Sequence, residues 1–321
     1  LVPALGYAIS VGCLVWVYWG FDWKGELPKF AAVDRRWMTL AVVSDISTYF
    51  FQGWRWTLLL KPIAPPRFLR SVQAIFIGLF ANSVLPFRSG EIIRAYVQAR
   101  WVDIPFTVCL SSALIERLFD GILLAGGFYL VAQFVPVPGY LRDAGLVLAV
   151  LVGALSVLMG IVIFHRHRAH AAISGSRWAG MLWHVVEGLH AMGNSRWFCL
   201  SGAVSVLYLV SQLVPIYALM RGSELDLPLG ALAVVLIIMR LGTVLPQAPS
   251  NVGGFQFFTV VALGLFGVDK ATAASFATIL FVVTTVPLWV GGAIATAMAG
   301  TRIEDLQRHA HASLQPSQTR S

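Results

Sequence analysis

Apolar residues in this chain come in long runs and do not alternate with polar ones. Runs at 1–19, 37–60, 107–135, 146–164, 197–220 and 273–299 each exceed the roughly 18 residues a helix needs to cross a hydrocarbon layer about 30 Å thick. Three shorter stretches, 72–85, 229–245 and 255–267, are bounded by Pro or Gly clusters and read as half-helices or broken helices. The strands of a membrane barrel would alternate in polarity, so helices are the reading. The pattern predicts an all-α fold: a polytopic membrane helical bundle of six full crossings with two pseudo-repeated interrupted segments, re-entrant or half-helical. Residues 1–300 read as a single transmembrane domain of two weak repeats, about 1–142 and 143–300, and the polar tail 301–321 as disordered and cytoplasmic.

Composition sharpens this picture. The chain is 58% hydrophobic and 12% charged, against about 25% charged in soluble domains, with a mean hydropathy of +0.76. Such a chain takes lipid as its solvent, which excludes a soluble enzyme. Residues 1–19 lack a basic leader and a small-residue cleavage site, so a retained span is expected there rather than a signal peptide. Cys13, Cys109 and Cys199 lie in or beside apolar runs without a C-x-x-C pair and read as small hydrophobes.

Lys and Arg exceed Asp and Glu by eight, and the excess sits in connections rather than on one nucleic-acid-like face. Positive-inside bias accounts for most of it, and anionic headgroups are the partner it suggests. The basic loop 166–196 and the tail residues Arg302, Arg308 and Arg320 predict a cytoplasmic C-terminus on a multi-pass inner-membrane protein. Basic residues in consecutive connections near the N-terminus leave the direction of the first span open. His165, His167 and His170 have no carboxylate or Cys beside them, so a solvated basic loop is expected, with no metal and no cofactor. Gly291, Ala295 and Ala299 recur every four positions on the last span, as close helix packing requires.

An internal comparison is the most informative feature. Asn82-Ser-Val-Leu-Pro86 in the first half resembles Gly242-Thr-Val-Leu-Pro246 in the second. The first continues through Arg88, Gly90, Glu91 and Arg94, and the second through Pro249, Ser250, Asn251, Gly253, Gly254 and Gln256. Non-helical backbone cannot face lipid, so paired breaks in two halves are expected to be buried or to line a wet cavity, as at transporter binding sites. Helix starts at Ser89-Gly90 and at Ser250 to Gly254 offer N–H groups suited to phosphate, and Arg88 and Arg94 add guanidinium donors. Ordinary packing of Pro and Gly in membrane helices would also produce such a match.

Charges inside apolar runs add candidates. Glu116, Arg117 and Asp120 share one helical neighbourhood, where Arg117 can pair with Asp120. A structural tether and a substrate or proton path both fit them. Asp45 and Arg55 are too far apart along their run to pair, so each needs another partner. Arg240 stands six residues before Pro246 and suits either the cavity or the interface. No serine-hydrolase, zinc-peptidase or nucleotide-binding motif is present, so no enzyme is expected.

The stretch from Asn82 to Arg94, the following Glu116-Arg117 with Asp120, and Pro249 to Gln256 together are similar to the lysylphosphatidylglycerol synthase transmembrane-region family, over roughly residues 1–299. That resemblance implies a flippase-like membrane region that moves aminoacylated phospholipid between leaflets. Some members are fused to a cytoplasmic aminoacyl-transferase domain; with residues 301–321 alone beyond the spans, the synthase chemistry is not carried over. Similar stand-alone proteins are associated with hopanoid synthesis. The family's second motif often ends in Glu, where this chain has Gln256.

The expected function is therefore translocation of a phospholipid, anionic or aminoacylated, between leaflets of the bacterial cytoplasmic membrane, with the two interrupted segments meeting near mid-bilayer to form a polar, headgroup-sized cavity. Arg88, Arg94 and Arg240 would hold phosphate, Glu91 and Glu116 would balance a cationic headgroup or carry a proton, and Arg117 with Asp120 would brace the wall. A hopanoid or other lipid-pathway partner subunit and an intramembrane lipid-modifying enzyme are the alternatives. A homo-oligomer or a lipid-synthesis enzyme is a further expected partner.

Overall fold

The computed structural model describes residues 2–85, 89–133, 139–164, 179–193, 195–242 and 247–300. Twelve α-helices and one short 3-10 turn make up its regular structure, with no strand among the described residues. In chain order these are α1 (Val2–Tyr18), α2 (Trp23–Ala32), α3 (Arg35–Leu60), α4 (Phe68–Val84), α5 (Gly90–Val102), α6 (Phe106–Val131), α7 (Gly139–Phe164), α8 (Ala179–Gly193), α9 (Arg196–Gly222), α10 (Leu229–Gly242), α11 (Gly254–Gly264) and α12 (Lys270–Met298). Among the described residues each of the six long apolar runs holds a helix, and both interruptions fall between helices. Helix α8 lies inside the stretch read from sequence as a basic loop, and α7 starts seven residues ahead of its apolar run, at Gly139.

The exterior and interior are inverted relative to a water-soluble bundle. On α7, Val147, Val150, Leu151, Val157 and Leu158 are exposed, as are Val286, Val290, Ile294 and Met298 on α12. An apolar surface of this extent aggregates in water and is at home in lipid. Helices α9 and α12 are both long and apolar enough to cross a membrane. Helices α3 and α6 have similar length but carry charges within their span, of which Asp45, Arg55 and Glu116 are buried.

Along α3 the core has three layers. Ala41 belongs to an apolar cluster at one end, with Ile216 and Leu219 of α9 and Phe276 and Leu280 of α12. Trp56, Leu59 and Leu60 belong to a second cluster at the other end, with Ile75 and Ile77 of α4, Ile93 of α5 and Ile115 of α6. Between them lies a polar layer. Helix α9 runs antiparallel to α3: Asp34 N–H donates to the Gly222 carbonyl at one end, and Ser201 Oγ donates to the Arg55 carbonyl at 3.3 Å further along. Buried serines let the two backbones approach, as in other membrane-type packings.

Two antiparallel hairpins enter from opposite ends. Helices α4 and α5 share the end near Arg70, whose guanidinium lies 4.9 Å from the Trp101 ring, and their inner ends meet where Gly90 presses on the Gly78 carbonyl. Helices α10 and α11 share the other end and pack where Phe258 covers Gly242. Helix α12 spans both regions. Gly291 and Gly292 receive the Phe76 and Phe80 side chains of α4, and Gln73 Nε2 donates to the Ala295 carbonyl at 3.0 Å. The small-residue face of the last apolar run is thus the seat of α4.

Candidate functional site

The polar layer is built from residues spaced to share helix faces. Asp45, Thr48, Gln52 and Arg55 recur at three, four and three residues along α3, one face of a helix, and all four are buried. Helix α6 presents Glu116 and Asp120 one turn apart, and the first turns of α5 present Glu91 and Arg94. Arg55 Nε donates to Glu116 Oε1 at 3.3 Å, and Arg55 Nη1 donates to Asp120 Oδ1 at 2.5 Å. Arg94 Nη2 donates to the other Glu116 oxygen at 2.5 Å. The side chains of Arg55 and Glu116 are 0% exposed.

A second tier is wetter. Arg117 pairs with Glu91 at 2.7 Å and with Asp120 at 3.4 Å, with Arg117 46% and Glu91 38% exposed. Each of the three arginines therefore has a carboxylate, and Glu116 and Asp120 are each shared by two of them. Aromatic faces complete the cage: the Arg55 guanidinium lies 4.7 Å from the Tyr208 ring centre, and that of Arg94 lies 5.0 Å from Trp56. Trp56 Nε1 donates to Ser112 Oγ at 2.7 Å, which fixes that indole. Even so, Arg55 Nη2 and Arg94 Nε and Nη1 are buried donors without a hydrogen-bond partner.

Arg240, in the last turn of α10, points into this layer rather than to an interface. It donates to Gln212 Oε1 and to the Tyr208 hydroxyl, the latter at 3.5 Å, and it interacts electrostatically with Asp45 and Asp120. Asp45 accepts a hydrogen bond from the Tyr49 hydroxyl at 3.1 Å.

Both helix breaks border the network, and they touch each other. Ser250 Oγ donates to the Ser83 carbonyl at 3.3 Å, and Trp289 Nε1 of α12 donates to Ser250 Oγ at 3.3 Å. Ser250 and Asn251 both hold φ of +58°, which folds the chain after Pro249 back toward α11. Gly253 follows with φ +86° and lies so close to the Ser10 carbonyl of α1 that a Cβ would not fit. Ser10 Oγ accepts the Ala248 N–H at 2.8 Å.

Two of the glycine N–H groups at the helix starts, those of Gly90 and Gly253, are engaged within the protein. Gly90 N–H donates to Asn82 Oδ1 at 2.7 Å, across the first break. Gly253 N–H donates to Gln256 Oε1 at 2.8 Å, so Gln256 caps α11. A carboxylate oxygen would accept the same bond, so Gln256 keeps the capping geometry without the charge. The second helix begins at Gly254, after the turn that contains Ser250. Pro86, Arg88 and Pro246, the histidines 165–170 and the tail 301–321 lie outside the described residues.

Of the sequence-derived candidates, Glu91, Arg94, Glu116, Arg117, Asp120 and Arg240 converge in the polar layer. Asn82, Gly90, Pro249, Ser250, Gly253, Gly254 and Gln256 form the two breaks beside it. Arg55 was not among those candidates, yet it is the most central cation. Its sequence signal was an unpartnered charge in an apolar run, and the Asp45, Thr48, Gln52, Arg55 spacing marks the face it belongs to. Tyr208 and Gln212 carried no comparable signal.

The model of the lysylphosphatidylglycerol synthase transmembrane region matches residues 4–292. The chain belongs to that family. It is therefore a membrane protein of a lipid-related family, consistent with its apolar exterior. A UPF0104 membrane protein of Methanothermobacter thermautotrophicus is 24% identical over 275 residues, covering 79% of this chain and 82% of that protein. Glycosyltransferase AglD of Haloferax volcanii is 27% identical over 259 residues, covering 68% of this chain and 42% of that protein. The second match thus spans less than half of a protein named for its glycosyl transfer. No solved structure matches the chain.

Proposed function

We propose that this protein is a lipid translocator, passing the headgroup of a phospholipid through the junction of the two interrupted hairpins. The bundle crosses the membrane several times, and α4–α5 and α10–α11 are re-entrant hairpins from opposite faces. The observation that carries this reading is the contact between the breaks, Ser250 on Ser83, beside a buried network of alternating charge. Breaks that meet inside a membrane protein are tolerated where they adjoin a polar path.

The chemistry of the network suits a headgroup with both signs of charge. Arg94 and Arg55 hold buried guanidinium donors beyond those used on Glu116 and Asp120, and phosphate oxygens are natural acceptors for them. Glu91 and Arg117 are only partly covered and can exchange their mutual pair for ligand contacts. An aminoacylated headgroup, phosphate at one end and ammonium at the other, would engage both tiers.

Orientation follows from charge. Segments 61–70, 100–106 and 195–197 carry five basic residues against Asp103. At the opposite end, segment 22–36 has four basic residues against three acidic, 221–226 one against two, and 269–270 one of each. The basic end faces the cytoplasm in this reading, and α12 brings the C-terminus to the same side.

The test is fluorescent-lipid translocation in proteoliposomes with dithionite quenching, over anionic, zwitterionic and lysylated headgroups. The expected result is headgroup-dependent flipping that falls at least about tenfold in Arg117→Gln and in Glu91→Gln, about the effect of losing one charged contact. Normal flipping in both folded variants would remove the site. A chemically altered lipid in the extract would point instead to a lipid-modifying enzyme.

A further inference from the structure

Helix α3 has a second face, turned away from the buried network. Trp54, Thr57, Leu58 and Lys61 fall at i, i+3, i+4 and i+7, a stripe distinct from the one that holds Arg55. Together with Pro65, Pro66 and Phe68 they line a cavity of about 430 Å³ at the turn between α3 and α4. Its size falls within the usual range for small-ligand sites, about 300–1,000 Å³.

The cavity is amphipathic along its depth. Trp54, Leu58 and Phe68 give it an apolar wall, and Trp54 and Phe68 remain exposed. That apolar surface continues through Phe50, whose ring lies 6.3 Å from that of Phe68, and through the exposed Leu69. At the rim stands Lys61, with Nζ 3.7 Å from the centre of the Trp197 ring. Arg196 lies 4.7 Å from the same ring. Arg67 starts α4 beside the cavity, and no side chain caps that helix start. Segments 61–70, 100–106 and 195–197 together hold Lys61, Arg67, Arg70, Arg100 and Arg196 against Asp103, so this end of the molecule attracts anions.

We infer that this cavity binds one anionic glycerophospholipid from the adjoining leaflet, with its phosphate at Lys61 and the upper part of an acyl chain against Trp54, Leu58 and Phe68. Lysine snorkelling over apolar neighbours places its ammonium at headgroup depth, and aromatic residues favour the same level. A zwitterionic lipid would bring its own cation toward Arg67 and Arg196 and bind less well. The site is separate from the proposed translocation path. Lys61 lies six residues beyond Arg55, about 9 Å along the helix, and on another face. Binding here stands or falls independently of flipping.

The experiment is native mass spectrometry of the delipidated full chain in detergent, titrated with phosphatidylglycerol or with phosphatidylcholine of matched acyl chains. One phosphatidylglycerol is expected to bind about tenfold more tightly than phosphatidylcholine, on the order of one or two basic contacts at a membrane surface. Lys61→Gln is expected to abolish that preference, Lys61→Arg to retain it, and Trp54→Ala to weaken both lipids. Arg100→Gln, at the same end but outside the cavity, should leave the preference intact. Equal binding of the two lipids by the unmodified chain would overturn the proposal even if Lys61→Gln fails to fold. So would a preference that survives Lys61→Gln, or one lost as fully in Arg100→Gln.

Discussion

At the scale of residues, Glu116 is the charge on which the polar layer depends. It is buried between Arg55 and Arg94, so removing its charge leaves two guanidinium groups in a dry site with one counter-charge fewer. A buried ion pair adds little net stability, because desolvation offsets attraction, but breaking one costs about 3–5 kcal/mol. Glu116→Gln is therefore expected to lower the detergent-solubilised melting temperature sharply. Glu91→Gln, which touches a half-exposed pair, should cost no more than about 1 kcal/mol. Equal melting of the two variants would contradict the layered arrangement. The charges themselves were legible in the sequence, since Arg55, Glu116 and Asp120 stand in apolar runs that tolerate few charges. Their pairing was not, because the register of α3 against α6 is set by packing across helices sixty residues apart in the chain, which local spacing does not encode.

At the scale of elements, the long helices were legible because lipid imposes length and apolarity on them. Helices α2, α5 and α8 were harder, being short and mixed in polarity: α5 reads Gly-Glu-Ile-Ile-Arg at its start, and α2 contains Pro28. The breaks were legible from Pro and Gly, but their caps were not, since Asn82 reaches across the gap to Gly90. The α4–α5 hairpin turns on one close approach, where any Cβ on Gly90 would run into the Gly78 carbonyl and the Asn82 side chain. Gly90→Ala is expected to push α4 and α5 apart, lower the melting temperature and speed hydrogen exchange of the α5 amides around Ile93. Gly153→Ala on α7 has open space around it and should change neither. Hydrogen exchange resolved by peptide separates these outcomes.

At the scale of the whole molecule, two apolar clusters close the ends of the bundle and a polar layer divides them, with one helical hairpin reaching that layer from each end. The sequence showed the two hairpins as a weak internal resemblance whose breaks were expected to meet; which residues touch was not legible, because Ser83 and Ser250 stand at different places in the two motifs. That contact is the centre of the functional reading, and cross-linking tests it directly. With Cys13, Cys109 and Cys199 replaced by alanine, Ser83→Cys and Ser250→Cys would be joined by a short bifunctional methanethiosulfonate in native membranes, and lipid flipping measured before and after reduction. The expected result is efficient cross-linking that stops flipping, with recovery on reduction. Failure to cross-link, or unchanged flipping in the cross-linked protein, would contradict passage through the junction of the two hairpins.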